Sequence, residues 1–250
     1  MNSKPAIRET PAHVSAILAD VEKQSPSIIN EWQVIRHVSD MLTLHILVNR
    51  QTLALSLPGQ LTPDSFDNHY FYEITFMTVD KTTFKNLPSF AGVPSHAEMR
   101  ARTYIRYNGL PGYFNLDIYT DNAIASKIMG HTFNYPYKTG NIKHADNYYS
   151  FDDPKHKRSV HAAWSPGIEA QTGFDKWISE RNFSIQQHKN VLEKQDCYRT
   201  NLLTKHATIR DFKIAFDAQS VNEDKAHVFH PVFAESCNIV YSGLSRIDER

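Results

Sequence analysis

The chain has 250 residues, and its 27 Lys and Arg residues balance 27 Asp and Glu residues, so its formal net charge is +0. A balanced chain lacks the overall positive field that draws proteins to nucleic acids or to anionic membranes. It has two cysteines, too few for a disulfide scaffold, and no apolar run near the roughly 18 residues of a membrane helix or suited to a signal peptide. These features predict a soluble, cytoplasmic protein.

The first 30 residues are predicted to form a polar tail followed by a helix. In residues 13–23, apolar side chains recur at helical spacing, at Val14, Ile17, Leu18 and Val21. Residues 31–250 are predicted to form a single domain, because they contain no internal repeat, no low-complexity tract and no linker.

Strand patterns dominate this domain. The segments EWQVIRHV and LTLHILVN are short, β-branched and apolar, and ATIRDFKIAF and CNIVYSGLSRI return to the same pattern near the C-terminus. NHYFYEITFMTV (68–79) has apolar residues on both faces, which is typical of a strand covered on two sides. With two or three short helices, this pattern predicts a β-rich α+β fold around a curved sheet or barrel.

Residues 98–121, EMRARTYIRYNGLPGYFNLDIYTD, predict a β-hairpin whose turn is marked by Asn-Gly (108–109) and Pro-Gly (111–112). If the polar faces of the two strands match, each even-numbered residue pairs with an odd-numbered one. Because side chains alternate along a strand, one face of the first strand carries Glu98, Arg100, Arg102, Tyr104 and Arg106.

The pattern leaves two interpretations of this charged face open. Exposed Arg and Glu side chains usually form a solvated outer face with salt bridges. Alternatively, the face lines the interior of a barrel, where several guanidinium groups would bind an anion such as a carboxylate. In that case Glu98 could act as a general acid or base.

Two short helices are predicted from their N-terminal residues. Asp121 or Asn122 is the expected N-cap of a helix that follows the hairpin. Thr172 and Asp175 approximate a capping box at the start of the second helix.

The segment NYPYKTG (134–140) contains a lysine with the potential for covalent chemistry. A lysine that forms a Schiff base needs a lowered pKa, which comes from desolvation or from a neighbouring cation. The neighbour of Lys138 is Tyr137, which is not a cation, and in an extended segment the two side chains point to opposite faces. A solvated lysine is therefore the ordinary interpretation of Lys138.

Other catalytic signatures are missing from the sequence. The chain has 13 histidines but no HExxH motif and no Cys/His cluster, so neither a metal site nor a cofactor is predicted. Cys197 and Cys237 are predicted to be buried apolar residues rather than nucleophiles. A GxSxG elbow and Gly-rich phosphate loops are also missing, which disfavours hydrolase and nucleotide-binding functions.

Four segments together resemble the YqjF-like proteins, an uncharacterised family grouped with the acetoacetate decarboxylase-like fold. In chain order they are WQVIRHVSDMLTLHILVNRQTLALSLPGQL, EMRARTYIR, ISERN and HPVFAESCNIVYSGLSRI, and the resemblance extends from about Trp32 to the C-terminus. It implies antiparallel sheets that form a closed, cone-like barrel with an internal pocket, often in an oligomer.

Residues 98–122 also resemble, without gaps, the corresponding part of acetoacetate decarboxylases. The resemblance places Glu98 at their active-site glutamate, and Tyr137 at the first lysine of a Pro-Lys-Lys segment, which forms the Schiff base. Lys138 matches the second lysine, which is not used covalently, and Arg36 lies only near the region of their active-site arginine. Because a phenol cannot form an imine with a ketone, the resemblance implies that Schiff-base decarboxylation has been lost.

We therefore predict that the protein binds a small organic acid in a barrel pocket and forms a homo-oligomer. Nucleic acid, membrane, metal and cofactor are not among its predicted partners. Two alternatives stay open: a decarboxylase or aldolase-type lyase with Lys138 as nucleophile, and a non-enzymatic structural protein with a vestigial pocket. The predicted catalytic residues are Glu98, as acid or base, and Tyr137, as hydrogen-bond donor; the predicted ligand-binding residues are Arg100, Arg102, Tyr104 and Lys138.

Overall fold

The computed structural model describes residues 11–86, 93–133, 135, 137–169, 172–200, 202–216 and 228–247, so the predicted polar tail at residues 1–10 lies outside it. The helices in these ranges are α1 (Ala12–Glu22), α2 (Ile28–Glu31), α3 (Arg50–Leu55), α4 (Ala123–Phe133) and α5 (Gly173–Ser179). The strands are β1 (Trp32–Val48), β2 (Thr62–Pro63), β3 (Tyr70–Phe84), β4 (His96–Tyr107), β5 (Leu110–Thr120), β6 (Tyr137–Thr139), β7 (Asn141–Ala145), β8 (Tyr148–Asp153), β9 (Arg158–Glu169), β10 (Phe183–His188), β11 (Val191–Thr200), β12 (Lys205–Ala215), β13 (Val228–Ser242) and β14 (Ser245–Ile247). Among the helices just given, none has both the length and the apolar character needed to cross a bilayer.

A closed ring of strands forms the centre of the fold. Hydrogen-bonded neighbours follow the order β11, β10, β5, β4, β3, β1 and β13, and β11 pairs with β13 to close the ring. Beyond β13 the sheet continues through β12, β9, β8 and β7. Neighbours are antiparallel except that β5 pairs in parallel with β10 and with β6. The prediction of a β-rich α+β fold with a closed barrel and a few short helices is confirmed.

The strands β1, β3 and β4 carry a hydrophobic core on each face. On one face, Ile74 of β3 belongs to a core that includes Trp164 of the sheet extension. On the other face, Met77 and Val79 belong to a core inside the ring, together with Tyr241 of β13. The strand predicted in residues 68–79 is β3, which begins at Tyr70, and its coverage on both sides is confirmed. Its neighbour β4 is buried on both faces from His96 to Ile105.

The turn of the hairpin between β4 and β5 is the predicted Asn-Gly pair. Asn108 and Gly109 have φ angles of 51° and 79°, and the flanking residues Tyr107 and Leu110 pair with each other. Both turn residues are left-handed, as a tight two-residue hairpin turn requires. The Pro-Gly pair at 111–112 lies within β5 rather than in the turn.

The register of this hairpin changes at a bulge. Near the turn, Arg102 pairs with Asn115, so even-numbered residues oppose odd-numbered ones as predicted. The next pair is Ala101 with Asp117, and Leu116 is the extra residue of β5. From this bulge to the start of β4 the partners have the same parity, so the predicted register is wrong there.

The predicted helix starts are found in the structure. Asn122 is the cap of α4, because its side-chain oxygen accepts hydrogen bonds from the backbone N–H groups of Ile124 (2.9 Å) and Ala125 (3.0 Å). At α5, Thr172 and Asp175 form the complete capping box. That helix closes one end of the ring, where it buries Phe174.

Candidate functional site

The charged face of β4 lies inside the ring. Glu98 is 0% exposed, Arg100 is 5% exposed and Arg102 is 9% exposed, whereas Arg106, next to the turn, reaches solvent. The interpretation of this face as a solvated outer surface is therefore wrong for the first three residues. Charged side chains are buried at this level only when partners compensate them, so the partners define the site.

The first group of partners, called here the Glu98 cluster, surrounds the carboxylate of Glu98. Arg36 donates to both carboxylate oxygens, at 3.2 Å for the Nη1–Oε1 contact. Arg100 Nε donates to Oε1, and the Tyr137 hydroxyl donates to Oε2 at 2.8 Å. The cluster consists of Arg36, His96, Glu98, Arg100, Tyr137 and Tyr241.

These contacts fix the charges within the Glu98 cluster. Burial alone would raise the pKa of Glu98, but the guanidinium groups of Arg100 and Arg36 hold it well below its usual value. Burial raises the pKa of the Tyr137 phenol above its ordinary value, so Tyr137 is neutral at pH 7. His96 donates from Nδ1 to the Pro94 carbonyl at 2.8 Å, which leaves Nε2 to accept from Arg36 at 3.4 Å.

Chemically, the Glu98 cluster is a closed ion-pair network. The Glu98 carboxylate is ionised, has no exposed surface and accepts hydrogen bonds on both oxygens. A carboxylate held far below its usual pKa is a weak general base at pH 7. Tyr137 is the member that stays partly exposed, and its phenol is the one neutral donor to Glu98 among the contacts described above.

Lys138 lies outside the Glu98 cluster. Its Nζ pairs with Asp117 and lies 5.5 Å from the centre of the Tyr119 ring, on the side of the sheet away from Glu98. Arg158 pairs with the same Asp117 carboxylate. Tyr137 and Lys138 thus point to opposite faces, as the extended segment predicted.

A second group of charges lines a cavity inside the ring, next to the Glu98 cluster along β4. The cavity has a volume of about 170 Å³. A volume of about 10–15 Å³ holds one water molecule, so the cavity has room for a small ligand. We call it the arginine cavity; its polar lining includes Thr43, His45, Glu73, Arg102, Tyr113 and Arg199.

Glu73 is the anionic centre of the arginine cavity. It accepts hydrogen bonds from Arg102 Nε, from the Tyr104 hydroxyl at 2.7 Å and from the Thr75 hydroxyl at 2.7 Å. Burial alone would raise its pKa, but Arg102 and His45 lower the pKa of Glu73 to about 2. The Glu73 carboxylate is therefore fully ionised and already engaged by protein donors.

Arg199 adds a second guanidinium to this cavity. Arg102 lies 3.7 Å and Arg199 lies 5.4 Å from the centre of the Tyr113 ring, so both cations stack near one aromatic side chain. Within the described ranges, Arg199 forms no ion pair with a carboxylate. Lys176 and Asp175 also line the cavity, which therefore holds three cations against two carboxylates and keeps one excess positive charge.

His45 supplies an uncharged acceptor to the arginine cavity. Its Nδ1 donates to the His230 carbonyl at 2.9 Å, and its buried Nε2 has no hydrogen-bond partner in the described part of the chain. Burial lowers the pKa of His45 to about 4, so the ring is neutral at pH 7. Its free Nε2 is therefore a lone-pair acceptor inside the cavity.

This depressed pKa predicts a loss of stability in mild acid. Between about pH 6.5 and pH 4 the unfolded chain binds a proton on His45 that the folded chain rejects, so stability falls as the pH falls. Urea unfolding at pH 7 and pH 5 should differ by about 2 kcal/mol from this residue. The change His45→Gln, which keeps a donor for the His230 carbonyl, should remove that difference; an unchanged pH slope would contradict a buried neutral imidazole.

The structure separates the predicted site residues into three groups. Glu98, Arg100 and Tyr137 meet in the Glu98 cluster, Arg102 and Tyr104 meet on Glu73, and Lys138 is apart from both. Sequence reasoning placed Arg36 only near the site, although it contacts Glu98 and Tyr137 directly. It missed His96, which lies on β4 itself, and several partners on other strands that carry no local motif: His45, Glu73, Arg199 and Tyr241.

Comparisons with known proteins agree with the architecture. The family model DUF2071, described as an uncharacterized conserved protein, matches residues 36–231. The uncharacterized protein YqjF of Bacillus subtilis (strain 168) is 23% identical over 185 residues, which cover 70% of this chain and 76% of YqjF.

Solved structures show which fold this chain shares. An acetoacetate decarboxylase-like enzyme from Sphingomonas wittichii RW1 matches with a TM-score of 0.61 and 14% identity over 87% of this chain and 94% of its own. The enduracididine biosynthesis enzyme MppR complexed with pyruvate matches with a TM-score of 0.59 and 9% identity over 86% and 90% of the two chains. Identities this low show the fold alone, and the predicted acetoacetate decarboxylase-like barrel is confirmed. The family model matches more than half of the length of this chain, and the chain therefore belongs to the DUF2071 family.

Proposed function

We propose that this protein binds a small organic carboxylate in the arginine cavity and does so without forming an imine. The observation that carries this proposal is Arg199, a cavity-lining guanidinium with no carboxylate partner in the described ranges. A buried or half-buried guanidinium without a counter-ion is costly, and a carboxylate ligand matches its planar fork.

The charge of the whole inner face supports an anionic ligand. The Glu98 cluster and the arginine cavity lie on the same face of β4, and together they hold four guanidinium groups and one lysine against three carboxylates. Two of these carboxylates, Glu73 and Glu98, are already engaged by arginines. Because Tyr137 is neutral, a bound anion would reduce this excess of positive charge. The residues in this balance are Arg36, Arg100, Arg102, Arg199 and Lys176 against Glu73, Glu98 and Asp175.

The arginine cavity also offers contacts for the rest of a small acid. His45 Nε2 can accept a hydrogen bond from a ligand hydroxyl, and the Thr43 hydroxyl lies in the same lining. Imine chemistry is disfavoured because Tyr137 stands beside Glu98 and the amine of Lys138 is paired with Asp117. Arg102 and Arg199 are thus the proposed anchors, while Arg100 is occupied by Glu98 and Tyr241.

Binding of pyruvate, a carboxylate found in the complex of MppR, tests the proposal. Titration calorimetry should detect pyruvate binding, and the change Arg199→Gln should weaken it about 10- to 100-fold, because one charge-assisted contact is lost. The uncharged analogue pyruvamide should bind much more weakly than pyruvate to the unaltered protein.

Arg210→Gln is the matched control, because Arg210 is exposed on β12 and does not line the cavity. It should leave pyruvate affinity unchanged. Equal affinity for pyruvate and pyruvamide, or full affinity in the Arg199→Gln variant, would contradict a carboxylate anchored by Arg199.

A further inference from the structure

We propose that Asp175, His206 and His230 form a binding site for a divalent transition-metal ion such as Zn²⁺ beside the arginine cavity. One ligand atom of each side chain lies within 4.8 Å of those of the other two. Asp175 Oδ1 and His230 Nε2 are 2.8 Å apart, and the centres of the His206 and His230 rings are 4.2 Å apart with nearly perpendicular planes. Two ligand atoms bound about 2.1 Å from one ion are at most about 4.2 Å apart, so small side-chain rotations suffice to close the set.

The capping box at α5 orients the carboxylate of this site. Asp175 Oδ2 accepts hydrogen bonds from the Thr172 backbone N–H at 2.7 Å and from the Thr172 hydroxyl at 2.8 Å. This leaves Oδ1 for His230 or for an ion. Although burial opposes it, these hydrogen bonds from Thr172 and His230 keep the pKa of Asp175 below its usual value.

A bulge in β13 orients the first histidine. Thr43 of β1 pairs with Val232, but His45 pairs with Phe229, so the register shifts at the residues between them. His230 lies in this bulge with a φ of 44°, a conformation that non-glycine residues seldom adopt. The hydrogen bond from His45 to the His230 carbonyl fixes the bulge, which directs the His230 ring toward Asp175.

His206 provides the observation that points to a missing ligand. It pairs with Val232 across the β12–β13 ladder, so its ring faces that of His230. Its Nε2 is buried and has no hydrogen-bond partner in the described part of the chain. A buried nitrogen without a partner is unfavourable, and coordination of a metal ion would satisfy it.

The donor set fits an open transition-metal site. Two imidazoles and one carboxylate leave coordination positions free, as in catalytic zinc sites and in iron sites of the two-histidine, one-carboxylate type. Asp175 also lines the arginine cavity, so a ligand in that cavity would lie next to the ion. Coordination through His230 Nε2 replaces its hydrogen bond to Asp175, and the neutral ring then carries its hydrogen on Nδ1.

Metal binding by the untagged, chelator-treated protein tests the proposal. Titration calorimetry with Zn²⁺ should give one equivalent bound at micromolar concentrations, and Co²⁺ should give the visible absorption of a low-coordinate ion. The change His206→Gln should weaken Zn²⁺ binding on the order of 100-fold, since even an outer-shell partner accounts for 10- to 100-fold. His161→Gln is the matched control, because His161 of β9 lies near one carboxylate, Asp152, outside this site.

A second variant separates ligation from folding. His230→Asn keeps a residue that tolerates a left-handed backbone while it removes the imidazole. Zn²⁺ should raise the midpoint of thermal unfolding of the unaltered protein and of the His161→Gln control, but not of His206→Gln or His230→Asn. Failure to bind one equivalent of Zn²⁺, or binding that both ligand variants retain, overturns the proposal. Pyruvate binding through Arg199 is measured separately and does not depend on this result.

Discussion

Replacing Glu98 by glutamine is expected to lower the free energy of unfolding by about 3–5 kcal/mol, the cost of leaving buried charges without their counter-ion. Glu98 is the carboxylate that neutralises Arg36 and Arg100 in the Glu98 cluster, and all three side chains are buried. Glutamine keeps the shape of the side chain but removes the negative charge. The two guanidinium groups would then repel each other without a counter-ion.

Urea unfolding at pH 7 measures this loss. Glu235→Gln is the matched control, because Glu235 pairs with Lys205 in solvent and its side chain is 73% exposed. An exposed ion pair contributes little, so the control should unfold at nearly the same urea concentration as the unaltered protein. If Glu98→Gln unfolded at the same urea concentration as the unaltered protein, the Glu98 cluster would not be the charged core that its geometry indicates.

Local sequence signals predict the fold well where they act over a few residues. The Asn-Gly turn, the Asn122 cap and the Thr172–Asp175 capping box all depend on residues within a few positions of one another. The register of β4 against β5 was predictable only from the turn to Arg102. The extra residue Leu116 shifts the register beyond that point, and the alternation of polar and apolar residues does not predict a bulge there.

The alternation of side chains along β4 could not show whether its charged face points into the barrel or toward solvent. Alternation groups Glu98, Arg100 and Arg102 on one face, but the usual rule that charge faces solvent gives the wrong side. The face is buried because β1, β3 and β13 bring Arg36, Glu73 and Tyr241 to it from distant parts of the chain. Such contacts depend on strand order, which the sequence pattern does not give; the resemblance implied only a closed barrel with an internal pocket.

The candidate site shows the same limit. The alternating strand pattern marked Glu98 and the resemblance marked Tyr137, and the two residues are in direct contact. Arg199 has no carboxylate partner in the described part of the chain, which supports carboxylate binding, but no motif and no neighbour in sequence marks it. The histidines next to Asp175 come from two separate strands, so a search for spaced metal motifs could not detect them.

Replacing Tyr137 by lysine is expected to create an imine-forming site where the unaltered protein has none. The Tyr137 hydroxyl lies 2.8 Å from Glu98 and 3.2 Å from Arg36, with Arg100 on the other side of the carboxylate. An amine placed there is desolvated and faces two guanidinium groups against one carboxylate. Desolvation and neighbouring cations both lower the pKa of an amine, which leaves a nucleophilic fraction at neutral pH.

Borohydride reduction in the presence of acetoacetate or pyruvate, followed by peptide mass spectrometry, detects this reaction. The Tyr137→Lys variant should carry an adduct at position 137, and the unaltered protein and Tyr137→Phe should carry none at 137 or at Lys138. The double variant Tyr137→Lys, Lys138→Met should keep the adduct, because Lys138 is paired with Asp117 on the opposite face.

Each result separates the alternatives for this fold. An adduct on Lys138 of the unaltered protein would favour a lyase that uses the displaced lysine. No adduct in Tyr137→Lys, with pyruvate affinity preserved, would mean that the carbonyl of a ligand in the arginine cavity does not reach the Glu98 cluster. An adduct at position 137 would show that one side chain separates a non-covalent binding pocket from an imine-forming one, because the surrounding Glu98, Arg36 and Arg100 are already in place.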